Sequence, residues 1–269
     1  MRGLYILLPF AVTALFAAPK QLLLLGQKPD GHPPGTHEYM AGARVLKALL
    51  AHRHDLRTTI AQADEPWAEG PALIAKADGI VMFLNEGGRF IQDDPQRAKA
   101  FAAFAKRGGG LVVYHWGMGA KKVEQVGPFL KLFGGCHGGP DRKYTVVKKA
   151  KFQVAAPKHP VMSGIKSFEL PFEEFYYKLK VPKAAKHWTP LVHVTIEGAV
   201  ETVGWAWERP DGGRSFGFSG LHFHVNWRHR QYQRLIAQAA IWSVKLPVPK
   251  NGLRLKIDGA VLNLKTNSD

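Results

Sequence analysis

The chain has 269 residues, 46% of them hydrophobic and 22% charged, which excludes disorder and gives enough apolar surface for a core without metal or disulfide staples. Its single cysteine, Cys136, rules out an internal disulfide. Lys+Arg 37 against Asp+Glu 21 leaves a net charge of +16. The basic residues are scattered in short clusters such as Lys121-Lys122, without a zinc-finger spacing, an RNP-type aromatic motif or a basic heptad helix, which argues against specific nucleic-acid recognition.

The N-terminus opens with Met1-Arg2, a mainly apolar run from Leu4 to Phe16, and the small pair Ala17-Ala18. That is the layout of a secretory signal and is too short for a comfortable membrane span. Residues 1–18 are therefore expected to be a signal peptide. The mature protein is then periplasmic or secreted, with no transmembrane span. Gln21 to Gly26 contains an unbroken apolar run, the mark of a strand buried on both faces. A Gly- and Pro-rich loop follows to Gly35, and Thr36 is placed to cap a helix carrying Tyr39, Ala43, Leu46, Leu49 and Leu50 on one stripe. Leu56 to Ile60 reads as a second strand and Ala77 to Leu84 as a third, ended by the turn Asn85-Glu86-Gly87-Gly88. Asp94-Pro95 starts a helix that runs through Phe101 and Phe104 to Gly108-Gly109-Gly110, and Leu111 to Tyr114 is the next buried strand. This near-alternation predicts a doubly wound, mostly parallel α/β sheet.

The second half changes character. Tyr144 to Val154, Leu191 to Ile196, Val200 to Glu208 and Ser215 to Leu221 read as strands, with a hairpin turn at Pro210-Asp211-Gly212-Gly213, so an antiparallel extension is expected. A last helix carries Tyr232, Leu235, Ile236, Ala239 and Ala240. One domain is expected over 19–246, followed by a tail, 247–269, with a hairpin from Leu253 to Leu264 around Asp258-Gly259.

Ligands of doubly wound sheets bind beyond the carboxyl ends of the strands. Those ends carry His37, the Asn85 to Gly88 turn, His115-Trp116-Gly117, and His222 with His224, so histidine recurs at three of them. His37, His115 and His222 should line one pocket. Read as a strand, the segment around His222 and His224 would project both rings to one face, which suits metal ligation or a sugar contact. No HExxH or CxxC pattern accompanies it. Phe172-Glu173-Glu174-Phe175-Tyr176-Tyr177 sets carboxylates beside aromatics, with Glu173 expected to be solvated. Gly134 to Gly139 lacks the spacing of a phosphate-binding loop, and Cys136 stands on no strand-turn-helix elbow.

An ordered series of short pieces spans residues 20 to 244. It comprises Thr36-His37, Asn85-Glu86-Gly87-Gly88, Gly108 to His115, Phe133-Gly134-Gly135, His159-Pro160 with Gly164, Glu174-Phe175-Tyr176, Gly213-Arg214-Ser215-Phe216, His222, Trp227 and Ile241-Trp242. With it the chain resembles the ThuA-like (trehalose utilisation) family, which shares the class I glutamine amidotransferase-like, flavodoxin-like fold. The resemblance implies a role in carbohydrate metabolism with a small-molecule carbohydrate as partner. Where the amidotransferases carry their nucleophilic Cys, this chain has His115, which argues against glutamine hydrolysis. The expectation is an enzyme acting on a sugar or keto-sugar by acid–base chemistry of an isomerase, hydratase or lyase type. His37, His115, Glu174 and His222 would move protons, and Asn85, Gly87, Gly88, Trp116, His137, Tyr177, His224 and Trp227 would contact the substrate. Two alternatives stand beside it: a non-catalytic module stacking sugars on Trp116, Trp227 and Tyr177, and a metal-dependent hydrolase using His115, His222 and His224. The leading reading requires no cofactor, while a divalent metal and a homo-oligomer stay open.

Overall fold

A computed structural model describes residues 18–183 and 185–264, so the expected signal segment lies, except for Ala18, outside the described residues. The apolar runs become the strands β1 (Lys20–Gly26), β3 (Gly79–Phe83) and β4 (Gly110–Tyr114), with the half-buried β2 (Leu56–Gln62) at the edge. Helix α1 (Tyr39–Leu50) follows β1. Helices α2 (Gly70–Lys76), α3 (Gly87–Gln92) and α4 (Pro95–Lys106) lie between β2 and β4. Asp94 caps α4 as its sequence announces, accepting from the backbone N–H of Gln96 and Arg97. The short strands β5 (Gly119–Ala120) and β6 (His137–Gly138) pair with each other across α5 (Val123–Phe133). The long strands β7 (Lys143–Val154), β8 (Phe168–Tyr177), β9 (Trp188–Ile196) and β10 (Ala199–Glu208) follow, then β11 (Arg214–Phe218) and α6 (Arg230–Ser243).

The sheet has nine strands in the order β2-β1-β3-β4-β11-β10-β9-β7-β8. From β2 to β11 every pairing is parallel, and from β11 to β8 every pairing is antiparallel. This is the doubly wound sheet with an antiparallel extension. Because successive side chains on a strand point to opposite faces, the apolar runs feed two cores. Leu22, Leu24, Val81 and Val112 pack with α1 and α6, whereas Leu23, Leu25, Ile80, Met82 and Val113 pack with Phe90, Phe101, Phe104, Phe129 and Phe133 from α3, α4 and α5. Among the described residues no helix is long and apolar enough to cross a membrane.

Several local expectations are corrected. Thr36 does not cap α1: its hydroxyl donates to the Pro33 carbonyl, and Glu38, in the capping position, instead accepts from the Gly35 N–H. Helices α2 and α5 were not expected, the first being short with Pro71 in its first turn and the second interrupted by Gly127 and Pro128. The strand expected to reach Leu221 stops at Phe218. Among the described residues the tail forms no hairpin. The Gln238 side-chain carbonyl accepts from the Leu253 N–H and Arg234 donates to the Leu253 carbonyl, so side chains of α6 supply partners that a sister strand would have supplied.

Candidate active site

The parallel strands deliver their carboxyl ends to one edge of the sheet, and four residues there hold the left-handed backbone region: His37 (φ 52°), Glu86 (φ 45°), His115 (φ 43°) and Leu221 (φ 82°). In a residue with a Cβ this conformation costs about 1–2 kcal/mol and persists only where the surroundings enforce it. Here it turns the rings after β1 and β4, and the chain after β11, toward a common point. His115 Nε2 lies 3.1 Å from His37 Nε2 and 3.0 Å from His222 Nδ1. Glu174 Oε1 is 3.7 Å from His115 Nε2 and 3.5 Å from His222 Nδ1. Glu174 comes from β8, in the antiparallel half. So His37, His115, Glu174 and His222, far apart in sequence, meet.

Further residues complete the arrangement. Tyr176, two positions after Glu174 and therefore on the same face of β8, stacks its ring on His115 at 4.4 Å and on His137 at 3.9 Å. Asp30, from the loop after β1, accepts from Tyr39 Oη and holds His37 Nδ1 at 2.9 Å with one oxygen, and His32 Nδ1 at 2.7 Å with the other. Glu173, expected to be solvated, is fully buried on the opposite face of β8. It accepts from the N–H groups of Leu221 and His222, from Asn226 Nδ2 and from Tyr232 Oη, and so pins the loop that presents His222.

Burial governs the electrostatics. It pushes His115 well below the usual imidazole range, aided by its neighbours His37 and His222. Burial likewise carries His222 and His137 each down to about 3, so these three rings are neutral at physiological pH. Burial, with the Glu173 carboxylate alongside, lifts Glu174 to about 7. For Asp30 burial acts upward too, but the hydrogen bonds from His37, Tyr39 and His32 outweigh it and hold the carboxyl below its ordinary range. Cys136 is buried and pushed up to about 12, an inert thiol.

A cavity of about 400 Å³ opens onto this cluster, within the range of small-molecule sites. His37, His222, Glu174 and Tyr176 form one side of it, and Trp116, His137, Lys121, Arg142 and Tyr144 the rest. The other residues expected to touch substrate do not line it. Trp227 is buried beneath the cluster against Phe83 and Tyr232, and Tyr177 is packed into the core. His222 and His224 are not on a strand: His224 starts a short 3-10 turn and its Nε2 lies 3.2 Å from the Leu262 carbonyl, away from His115. Asn85 donates its backbone N–H to the Gln27 side chain, while Gly87 and Gly88 pack against the backbone of Gly117 and against Ala120. These two glycines support the turn that carries His115 and Trp116. A Cβ at Gly87 would collide with the Gly117 carbonyl, so Gly87→Ala is expected to cost about 1–3 kcal/mol of stability. An unchanged urea midpoint would refute that placement.

The family model described as trehalose utilisation (ThuA) matches residues 30–243. Among solved structures, a ThuA-like protein from Bacteroides uniformis aligns at a TM-score of 0.65 with 18% identity, over 86% of this chain and 94% of that one. A ThuA-like protein from Parabacteroides merdae aligns at 0.63 with 13% identity, over 93% of this chain and 100% of the other. At these identities the likeness is one of fold. No curated protein matches the chain.

Proposed function

Starting from the fact that the chain belongs to the trehalose-utilisation (ThuA) family, we propose that it is an enzyme of carbohydrate metabolism that moves a proton beside the carbonyl of a sugar or keto-sugar. The reading rests on one observation: three histidines and a glutamate, drawn from both halves of the sheet, converge, and His37, His222 and Glu174 of that cluster line a cavity of small-molecule size with His115 in contact behind them. Scattered structural histidines would each satisfy a separate backbone group.

The division of labour follows from the geometry. Glu174 is the cluster's carboxylate and it lines the cavity, so it takes the proton from the carbon next to the carbonyl. The electron pair moves into a double bond to the carbonyl carbon, and the oxygen becomes an enolate. Where the carbon that lost its proton bears a hydroxyl, moving that hydroxyl's proton to the enolate oxygen and returning the abstracted proton to the former carbonyl carbon gives the isomer. Re-forming the carbonyl with departure of a β-substituent, which takes its bonding pair and a proton, gives an eliminated sugar. Trp116, with Lys121 and Arg142 at 5.7 and 6.0 Å from its ring, and Tyr144 offer ring faces and donors to the rest of the sugar. The non-catalytic stacking alternative is weakened, because two of its three platforms, Trp227 and Tyr177, are buried.

The test is solvent exchange. Wild-type protein incubated in D2O with a panel of sugars and their keto derivatives should incorporate deuterium next to the carbonyl of at least one, read by proton NMR. Saturable binding of a keto-sugar with neither exchange nor turnover would overturn the enzymatic reading in favour of a binding module.

A further inference from the structure

The three histidines bring three ring nitrogens together at one spot, and outer partners place a hydrogen on the far nitrogen of two of the rings. His115 Nδ1 lies 2.8 Å from the buried carbonyl of Ser219, which can only accept, so Nδ1 carries the hydrogen and Nε2 presents a lone pair. His37 Nδ1 faces the Asp30 carboxylate at 2.9 Å, and that carboxylate already accepts from Tyr39 Oη, so Nδ1 again carries the hydrogen. The Nε2 atoms of the two rings then face each other across 3.1 Å, a gap that a shared proton or a cation would fill. Tyr176 Oη lies 3.0 Å from His115 Nε2 as well, and with the two rings stacked at 18° it approaches that nitrogen from the face of the imidazole. His37 and His222, by contrast, meet His115 edge-on, at 83° and 68°.

We propose that this convergence is a divalent transition-metal site, with His37 Nε2, His115 Nε2 and His222 Nδ1 as nitrogen ligands and Glu174 as the carboxylate, on the cavity side. The four atoms all lie within 4.8 Å of one another. Neighbouring separations of 3.0 to 3.7 Å bracket the roughly 3.3 Å between ligand atoms of a tetrahedral ion bonded at 2.0–2.1 Å. Three neutral imidazoles with one carboxylate favour zinc, manganese or iron over magnesium or calcium, which prefer all-oxygen shells. Asp30 and the Ser219 carbonyl are the outer partners that fix the tautomers of His37 and His115. His224, one of the three nitrogens expected from the sequence, is replaced by His37. The inference rests on the functional reading above and deepens it by naming a Lewis acid for the carbonyl oxygen, which would enter as a fifth ligand, while the Glu174 oxygen not bound to the ion would act on the proton beside it.

The experiment is metal uptake by tag-free protein, stripped with chelator, equilibrated with Zn2+ or Mn2+, gel-filtered and subjected to elemental analysis. Wild type should retain one ion per chain. His37→Ala and His115→Ala should lose it, His224→Ala should keep it, and Asp30→Asn should weaken affinity by roughly 10–100-fold, as expected when an outer partner of a ligand is removed. Circular dichroism of each variant separates loss of a ligand from loss of the fold. Less than about one ion per ten wild-type chains, or equal uptake by wild type and the His37→Ala/His115→Ala double variant, would overturn the proposal and leave a proton shared between the two rings. The two readings fail separately: keto-sugar turnover undiminished in stripped protein removes the metal and keeps the enzyme. Stoichiometric zinc without turnover does the reverse.

Discussion

Glu174→Gln is expected to slow the sugar reaction by roughly 10²–10⁴-fold, the usual contribution of a positioned acid–base group. The substitution keeps the size and planarity of the side chain but removes its ability to accept and return a proton. It should leave folding intact, because Glu174 is 13% exposed at the cavity and its side chain caps no helix and accepts no backbone N–H. On the proposed mechanism the loss should fall on kcat more than on KM, because Glu174 would act at the reacting carbon while Trp116, Tyr144 and their charged neighbours, which line the rest of the cavity, would hold the sugar. Steady-state kinetics on the substrate found by solvent exchange would check it. A kcat within about threefold of wild type would remove Glu174 from the chemistry.

The largest stability effect should come from the neighbouring glutamate. Glu173→Ala is expected to destabilise the protein by about 3–5 kcal/mol, the combined cost of leaving several buried donors without their shared acceptor. The carboxylate is fully buried and is the acceptor for Asn226 Nδ2, for Tyr232 Oη and for the His222 N–H. Alanine leaves those donors dry and unpaired, each at a cost of about 1–3 kcal/mol before relaxation. The same change frees the loop from Leu221 to Asn226, so activity should fall even at temperatures where the variant is folded. Urea unfolding monitored by tryptophan fluorescence gives the first effect, and keto-sugar turnover the second. A shift below about 1 kcal/mol would mean that Glu173 is reached by water and that its network is dispensable.

The histidines were legible because each follows an apolar run short enough to be a parallel strand, and strand ends share an edge whatever their separation along the chain. His115 is the clearest case, coming directly after Leu111-Val112-Val113-Tyr114. Glu174 and Tyr176 both stood in a motif of the family resemblance, but nothing local distinguished Glu173 from Glu174. The two differ only in which face of β8 they occupy, and the deciding partner of Glu173, Tyr232, lies 59 positions away. Asp30 and His32 were illegible for a related reason. The loop after β1 has no periodicity, and its Gly and Pro residues read as a connection, not as a support for His37. Helix α5 was hidden by Gly127 and Pro128, which interrupt its apolar stripe even though Phe129 and Phe133 are buried on it. The misplacement of Trp227 has the opposite origin. A Trp near a ligand edge suggests a sugar platform, but its ring is taken up by the core below the cluster.

The position of β11 has a consequence for how the chain is made. It sits between β4 and β10, at the seam of the parallel and antiparallel halves, although it is the last of the described strands to emerge from the ribosome. The edge of β4 therefore waits, unpaired and apolar, from residue 114 until residue 214 is available. Such an edge is a template for association with other chains during that interval. Assembly of the sheet depends on contacts distant in sequence, the kind that slow folding. His222 follows β11 directly, so the cluster can close only after the seam does, and a fragment ending before β11 would lack one of its four members along with the strand that joins the two halves.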